Sequence, residues 1–83
     1  MRTGAHVMTS FFVLFEEWDC AAAAAARASA RLCRQVDAWC AGTGPAPGPQ
    51  EIAESKRLTA EANRRLAALR ALLHEQREQV ALI

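Results

Sequence analysis

The run Gly42-Thr43-Gly44-Pro45-Ala46-Pro47-Gly48-Pro49 constrains this chain more than any other stretch. It holds three of the four glycines and all three prolines. Glycine loses the most backbone freedom in a helix, and proline lacks the N–H that an interior turn requires. A long, alanine-rich, helix-favouring segment lies on either side. The order is therefore helix, turn, helix, and the fold class is all-α: an antiparallel helical hairpin.

Eighty-three residues make one domain with a small core. Chains of this size generally need a disulfide, a metal or a partner subunit. Hydrophobic residues reach 52%, but many are alanine, which favours helix and buries little. Ten Lys and Arg against nine Asp and Glu leave a net charge of +1. That balance argues against a surface built mainly for nucleic acid or anionic lipid. Cys20, Cys33 and Cys40 are odd in number and contain no C-x-x-C, so they do not read as a disulfide framework. They read as reduced thiols of a cytoplasmic protein, with an intermolecular disulfide across a dimer as the sharper alternative. The longest uncharged run, residues 3–15, is too short to span a bilayer. A secretory leader is not expected either, because Glu16, Glu17 and Asp19 stand where a cleavage region is small and neutral.

Residues 1–8 show no periodicity and contain Gly4, so a flexible arm is expected there, with residues 9–83 forming the hairpin domain. Thr9 or Ser10 is the expected N-cap of the first helix, over about residues 10–41. Its apolar positions alternate four and three apart: Phe11, Phe15, Trp18, Ala22, Ala25, Ser29, Leu32, Val36, Trp39. That is a heptad seam. Gly42 suits the left-handed position after a helix end. The loop covers residues 42–49, and Pro49 fits the first position of the second helix, over about residues 49–82. The second seam is Ile52, Ser55, Thr59, Ala62, Leu66, Leu69, Leu73, Gln76, Val80 and Ile83. Folding the chain at the loop centre sets Trp39 against Ile52, Ala22 and Ala25 against Leu69 and Leu66, Trp18 against Leu73, and Phe11 against Val80. Trp18, Leu32, Val36, Trp39, Leu66, Leu69 and Leu73 form the expected hairpin core. Glu61 with Arg64 and Arg65, and His74 with Glu78, are expected as ion pairs on the wet faces.

Two helices leave apolar surface uncovered. Residues 11–15 are hydrophobic all round the helix, and Leu14, Leu58 and Leu72 flank the seams. Such surface marks an interface. A homodimer with a four-helix core is the economical solution, with Phe11, Phe12, Leu14, Phe15, Leu58 and Leu72 as its contacts.

The chain carries no Ser-His-Asp set, Gly-rich phosphate loop or zinc signature. His6, His74 and the three cysteines are too scattered for the tight cluster that structural zinc demands. No enzyme activity, cofactor, metal or small-molecule substrate is expected. The expected function is a non-enzymatic protein–protein interaction module: an adaptor, chaperone-like subunit or assembly factor. Membrane contact through residues 11–15 is opposed by the acids that follow. The alternative is a small dimeric RNA-binding regulator using Arg27, Arg31 and Arg34, which lie at i, i+4 and i+7. That strip resembles the helix faces with which plasmid RNA-regulator hairpins bind paired RNA loops.

Two further resemblances are local. Leu73-His74-Glu75-Gln76-Arg77 carries H-E-x-R and resembles the phosphoacceptor box of histidine-kinase dimerisation domains, which are hairpins that pair into four-helix bundles. By that resemblance His74 would accept phosphate and Glu75 would assist. The family's following proline is absent, and its box lies on the first helix rather than the second. Trp39-Cys40-Ala41-Gly42 resembles the Trp-x-Gly bend of small secreted WXG-type hairpins, with one residue more. The tyrosine of that family's tail is missing, since the chain has none.

Overall fold

A computed structural model describes the backbone of residues 2–81 and the side chains of residues 9–78. The described residues form two helices, α1 (Arg2–Cys40) and α2 (Pro49–Ala81), packed against each other as an antiparallel hairpin. The resulting rod measures 62 × 19 × 18 Å.

Local chemistry fixes both ends of the loop. Gly42 has φ +76°, a conformation that costs a residue with a Cβ roughly 1–2 kcal/mol. Its N–H donates to the Trp39 carbonyl at 3.0 Å, and the Thr43 N–H donates to the Ala38 carbonyl at 2.8 Å. This pair of bonds is a Schellman motif, which satisfies carbonyls the helix end would leave open. The Thr43 hydroxyl also donates to the Ala38 carbonyl, at 3.1 Å. At the start of α2 the Gly48 N–H donates to the Glu51 carboxylate at 2.8 Å. Pro49 is the first helical residue, so Gly48 to Glu51 is one half of a capping box.

The start of α1 departs from expectation. The helix begins at Arg2, not near Ser10, so Thr9 and Ser10 lie inside it and the expected arm is helical from Arg2. A single Gly4 costs about 1 kcal/mol in a helix, too little to stop one that the residues after it favour. The side chains of His6, Val7 and Met8 lie outside the described residues.

The line buried between the helices also differs. On α1 it runs Phe11, Leu14, Trp18, Ala21, Ala25, Ala28, Leu32 and Gln35, all buried or half-buried. The expected line shares Phe11, Trp18, Ala25 and Leu32. Its alternate members, Phe15, Ala22, Ser29 and Val36, each sit one residue too far along. On α2 the buried line includes Ser55, Leu58, Ala62, Leu69, Leu72 and Gln76. Three residues expected in the core are therefore exposed: Trp39 at 54%, Leu73 at 45% and Val36 at 38%. Trp18, Leu32 and Leu66 are half-buried, and Leu69 is buried.

The register moves as well. The Ser29 hydroxyl meets that of Ser55 at 3.5 Å, and Arg65 reaches Glu17 at 2.8 Å. Folding at the loop centre would instead set Ser29 against Ala62 and Glu17 against His74. The displacement is about two helical turns. Its cause is the turn itself. The Schellman motif doubles the chain back on Ala38, and a Cβ placed on Gly44 would lie 3.2 Å from that of Ala38. Gln35, Ala38, Gly48 and Glu51 then line one recess beneath the loop, so α2 starts about level with Gln35. Trp39 overshoots it and has no Ile52 opposite. Val80, expected opposite Phe11, has a side chain outside the described residues.

Candidate functional site

Successive residues of an α-helix are rotated by about 100°. Each helix therefore carries one line just before its buried line and another just after it, on opposite flanks of the hairpin. The two flanks differ in chemistry.

The flank formed by the preceding lines is charged. On α1 it contains Glu17, Arg27, Arg31 and Arg34, and on α2 Glu54, Arg57, Glu61 and Arg64. Arg57 holds Glu54 with two bonds of 3.0 and 2.7 Å. Arg64 and Arg65 both hold Glu61, the second at 3.0 Å, and Arg65 continues to Glu17. The Arg57 hydrogen bond holds the Glu54 carboxyl below its ordinary value, with smaller help from the charges of Arg57 and Arg31. The Arg64 hydrogen bond does the same for Glu61. Glu54 in turn raises Arg57. A trough of about 290 Å³ opens on this side between Arg31, Leu32, Gln35, Glu51 and Glu54.

The flank formed by the following lines is apolar on α1. The line reads Phe12, Phe15, Asp19, Ala22, Ala26, then Ser29, Cys33, Val36, Cys40, again three and four apart, with Asp19 its one charge. Phe12 is 56% exposed and Phe15 41%. The aromatic end is organised: ring centroids of Phe11 and Phe12 lie 5.8 Å apart, those of Phe11 and Phe15 6.1 Å, and those of Phe15 and Trp18 5.6 Å. On α2 the corresponding line alternates Thr59, Leu66 and Leu73 with Lys56, Asn63, Arg70 and Arg77.

Of the six residues expected to make an interface, Phe11, Phe12 and Phe15 thus form one aromatic cluster. Leu14, Leu58 and Leu72 are half-buried along the line between the two helices and belong to the hairpin's own interior. Val13, Val36, Trp39, Ile52 and Leu73 are exposed apolar residues absent from that set. The signal for Val36 was available as the second three-four line on α1. Arg27, Arg31 and Arg34 are exposed on the charged flank, away from the apolar line. His74 is exposed and paired with Glu78 at 3.2 Å. Cys20, Cys33 and Cys40 are free and exposed. Among the described residues no three of His, Cys, Asp and Glu gather to hold a metal ion, and no helix is long and apolar enough to cross a membrane.

No protein-family model, curated protein or solved structure matches this chain.

Proposed function

We propose that the hairpin is a non-enzymatic protein–protein interaction module working as an oligomer. In this reading two copies complete a four-helix core, and the outer faces engage another protein, as an adaptor, chaperone-like subunit or assembly factor does. Its thiols stay reduced, as in a cytoplasm. The observation that carries this is the interior. Among the described residues the buried ones are Ala25, Ala28, Ser55, Ala62 and Leu69, and no large side chain is fully buried, while Phe12, Phe15, Val36 and Trp39 are exposed. That is half of a core. The radius of gyration is 18.7 Å, against about 12 Å for a compact chain of this length.

The test is the solution mass by light scattering after size exclusion, with and without reductant. The expected value under reductant is twice the 9.0 kDa chain. A folded monomer at every concentration would overturn the reading. A dimer seen only without reductant would replace it with a covalent one. The RNA reading rests on Arg27, Arg31 and Arg34, all exposed on the charged flank. It requires strong, salt-dependent retention on a polyanion column, lost on substituting Arg27 and Arg31; the adaptor reading requires weak retention.

A further inference from the structure

We infer that the apolar flank of α1 is covered by α1 of a second copy, running antiparallel and centred on Ala26. The inference rests on the oligomer reading above and adds the face, the occupant and the orientation.

Area argues for a second copy. A compact 9.0 kDa monomer exposes about 4,900 Å². This chain exposes 6492 Å². The excess, on the order of 1,600 Å² per chain, falls where obligate homodimers do once doubled across two partners.

The line itself argues for α1 and for the orientation. Its neighbour on α2 sets Lys56, Arg70 and Arg77 in line with Leu66 and Leu73, so α1 offers the less charged surface. Reversed upon itself about Ala26, the α1 line sets Phe15 against Val36, Ala22 against Ser29, and Ala26 against its own copy. Small residues meet at the centre, where the helices come closest, and bulk meets bulk beyond it, as dense packing requires. Asp19 falls opposite Cys33. A parallel pairing would instead face Asp19 with Asp19 inside an apolar seam, which is unfavourable. The face lies about 100° round α1 from the one that meets α2, close to the right angle between neighbours in a square four-helix core.

The orientation is tested in the full chain with Asp19→Cys on a Cys20→Ala, Cys40→Ala background, which leaves thiols at positions 19 and 33 alone. After oxidation with copper phenanthroline, peptide mapping is expected to find position 19 joined to position 33. Links of 19 to 19 and 33 to 33, or no link in a protein of dimer mass, would overturn the inference and leave the oligomer reading standing. A monomer of the unsubstituted chain would remove both. A second variant fixes the face. Phe15→Asp is expected to halve the mass while Ala30→Asp, on the outer side of α1, leaves it doubled. An unchanged mass for Phe15→Asp would count against the assignment.

Discussion

Leu69 is the largest of the buried side chains among the described residues, at 6% exposure, and its neighbours along α2, Leu66 and Leu72, are only half-buried. Leu69→Ala is therefore expected to cost about 2–5 kcal/mol in urea unfolding, the range for truncating a buried leucine. Trp39 is the contrasting case. It is the larger side chain, yet it projects past the start of α2 and stands half in water. Trp39→Ala is expected to stay within about 0.5 kcal/mol, as exposed substitutions do. Equal losses for the two variants would mean that the last turn of α1 packs on α2 and that the register described above is wrong. The single residues with a strong conformational signature were also the most legible in the sequence. Gly42 and Pro49 took the positions that their backbone chemistry dictates. Residues without such a signature were harder to place: Val36, expected in the core, is exposed, because it is apolar and helical on any face and nothing in its own chemistry tells one flank from another.

At the level of the helices, α1 was hard to read because it carries two apolar lines side by side. The line drawn from the sequence took Phe11, Trp18, Ala25 and Leu32 from one, and Phe15, Ala22, Ser29 and Val36 from the other. The six consecutive alanines from Ala21 to Ala26 offered no contrast by which to separate them. Polar contrast made α2 easier, and Ser55, Ala62 and Leu69 fell where expected. Leu58 and Leu72 did not, because a flanking leucine and a buried one differ by a single step along the helix. The ion pairs of Glu61 with Arg64 and Arg65, and of His74 with Glu78, followed from spacing alone. Those of α2 make a pH prediction. Arg57 and Arg64 lower the carboxyls of Glu54 and Glu61 from 4.5. A lowered carboxyl stabilises the folded chain above the unfolded value, and the contribution is lost as pH falls through the folded one. Helicity by circular dichroism is thus expected to decline below about pH 4.5 in low salt. The Glu54→Gln, Glu61→Gln pair should flatten that acid limb. An identical limb in the double variant would show that these pairs do not support α2.

For the molecule as a whole, the hairpin was legible and its register was not. Loop length and composition announce a reversal of the chain, but the path of the loop, doubled back on Ala38, decides which turns meet. The thin interior has a thermodynamic consequence. If helices from another copy complete the core, folding and association are one equilibrium, and the unfolding midpoint depends on protein concentration. A hundredfold dilution is expected to lower the thermal midpoint measurably, and a midpoint independent of concentration would contradict shared folding.

The doubled-back turn also gives the rod two unlike poles. One pole bears only the Gly/Pro bend. The other gathers the first residues of α1 and the last residues of α2, across a width of 19 Å, with the bend at the far end of a 62 Å axis. Two passengers attached before Arg2 and after Ala81 would ride as neighbours, while a third inserted at the bend would travel a full rod-length away. Within one copy, energy transfer between paired fluorophores would be efficient for the first two and weak for either with the third; between antiparallel copies, each bend would instead lie near the partner's chain ends. A single hairpin is in that sense a ruler with both of its handles on the same end.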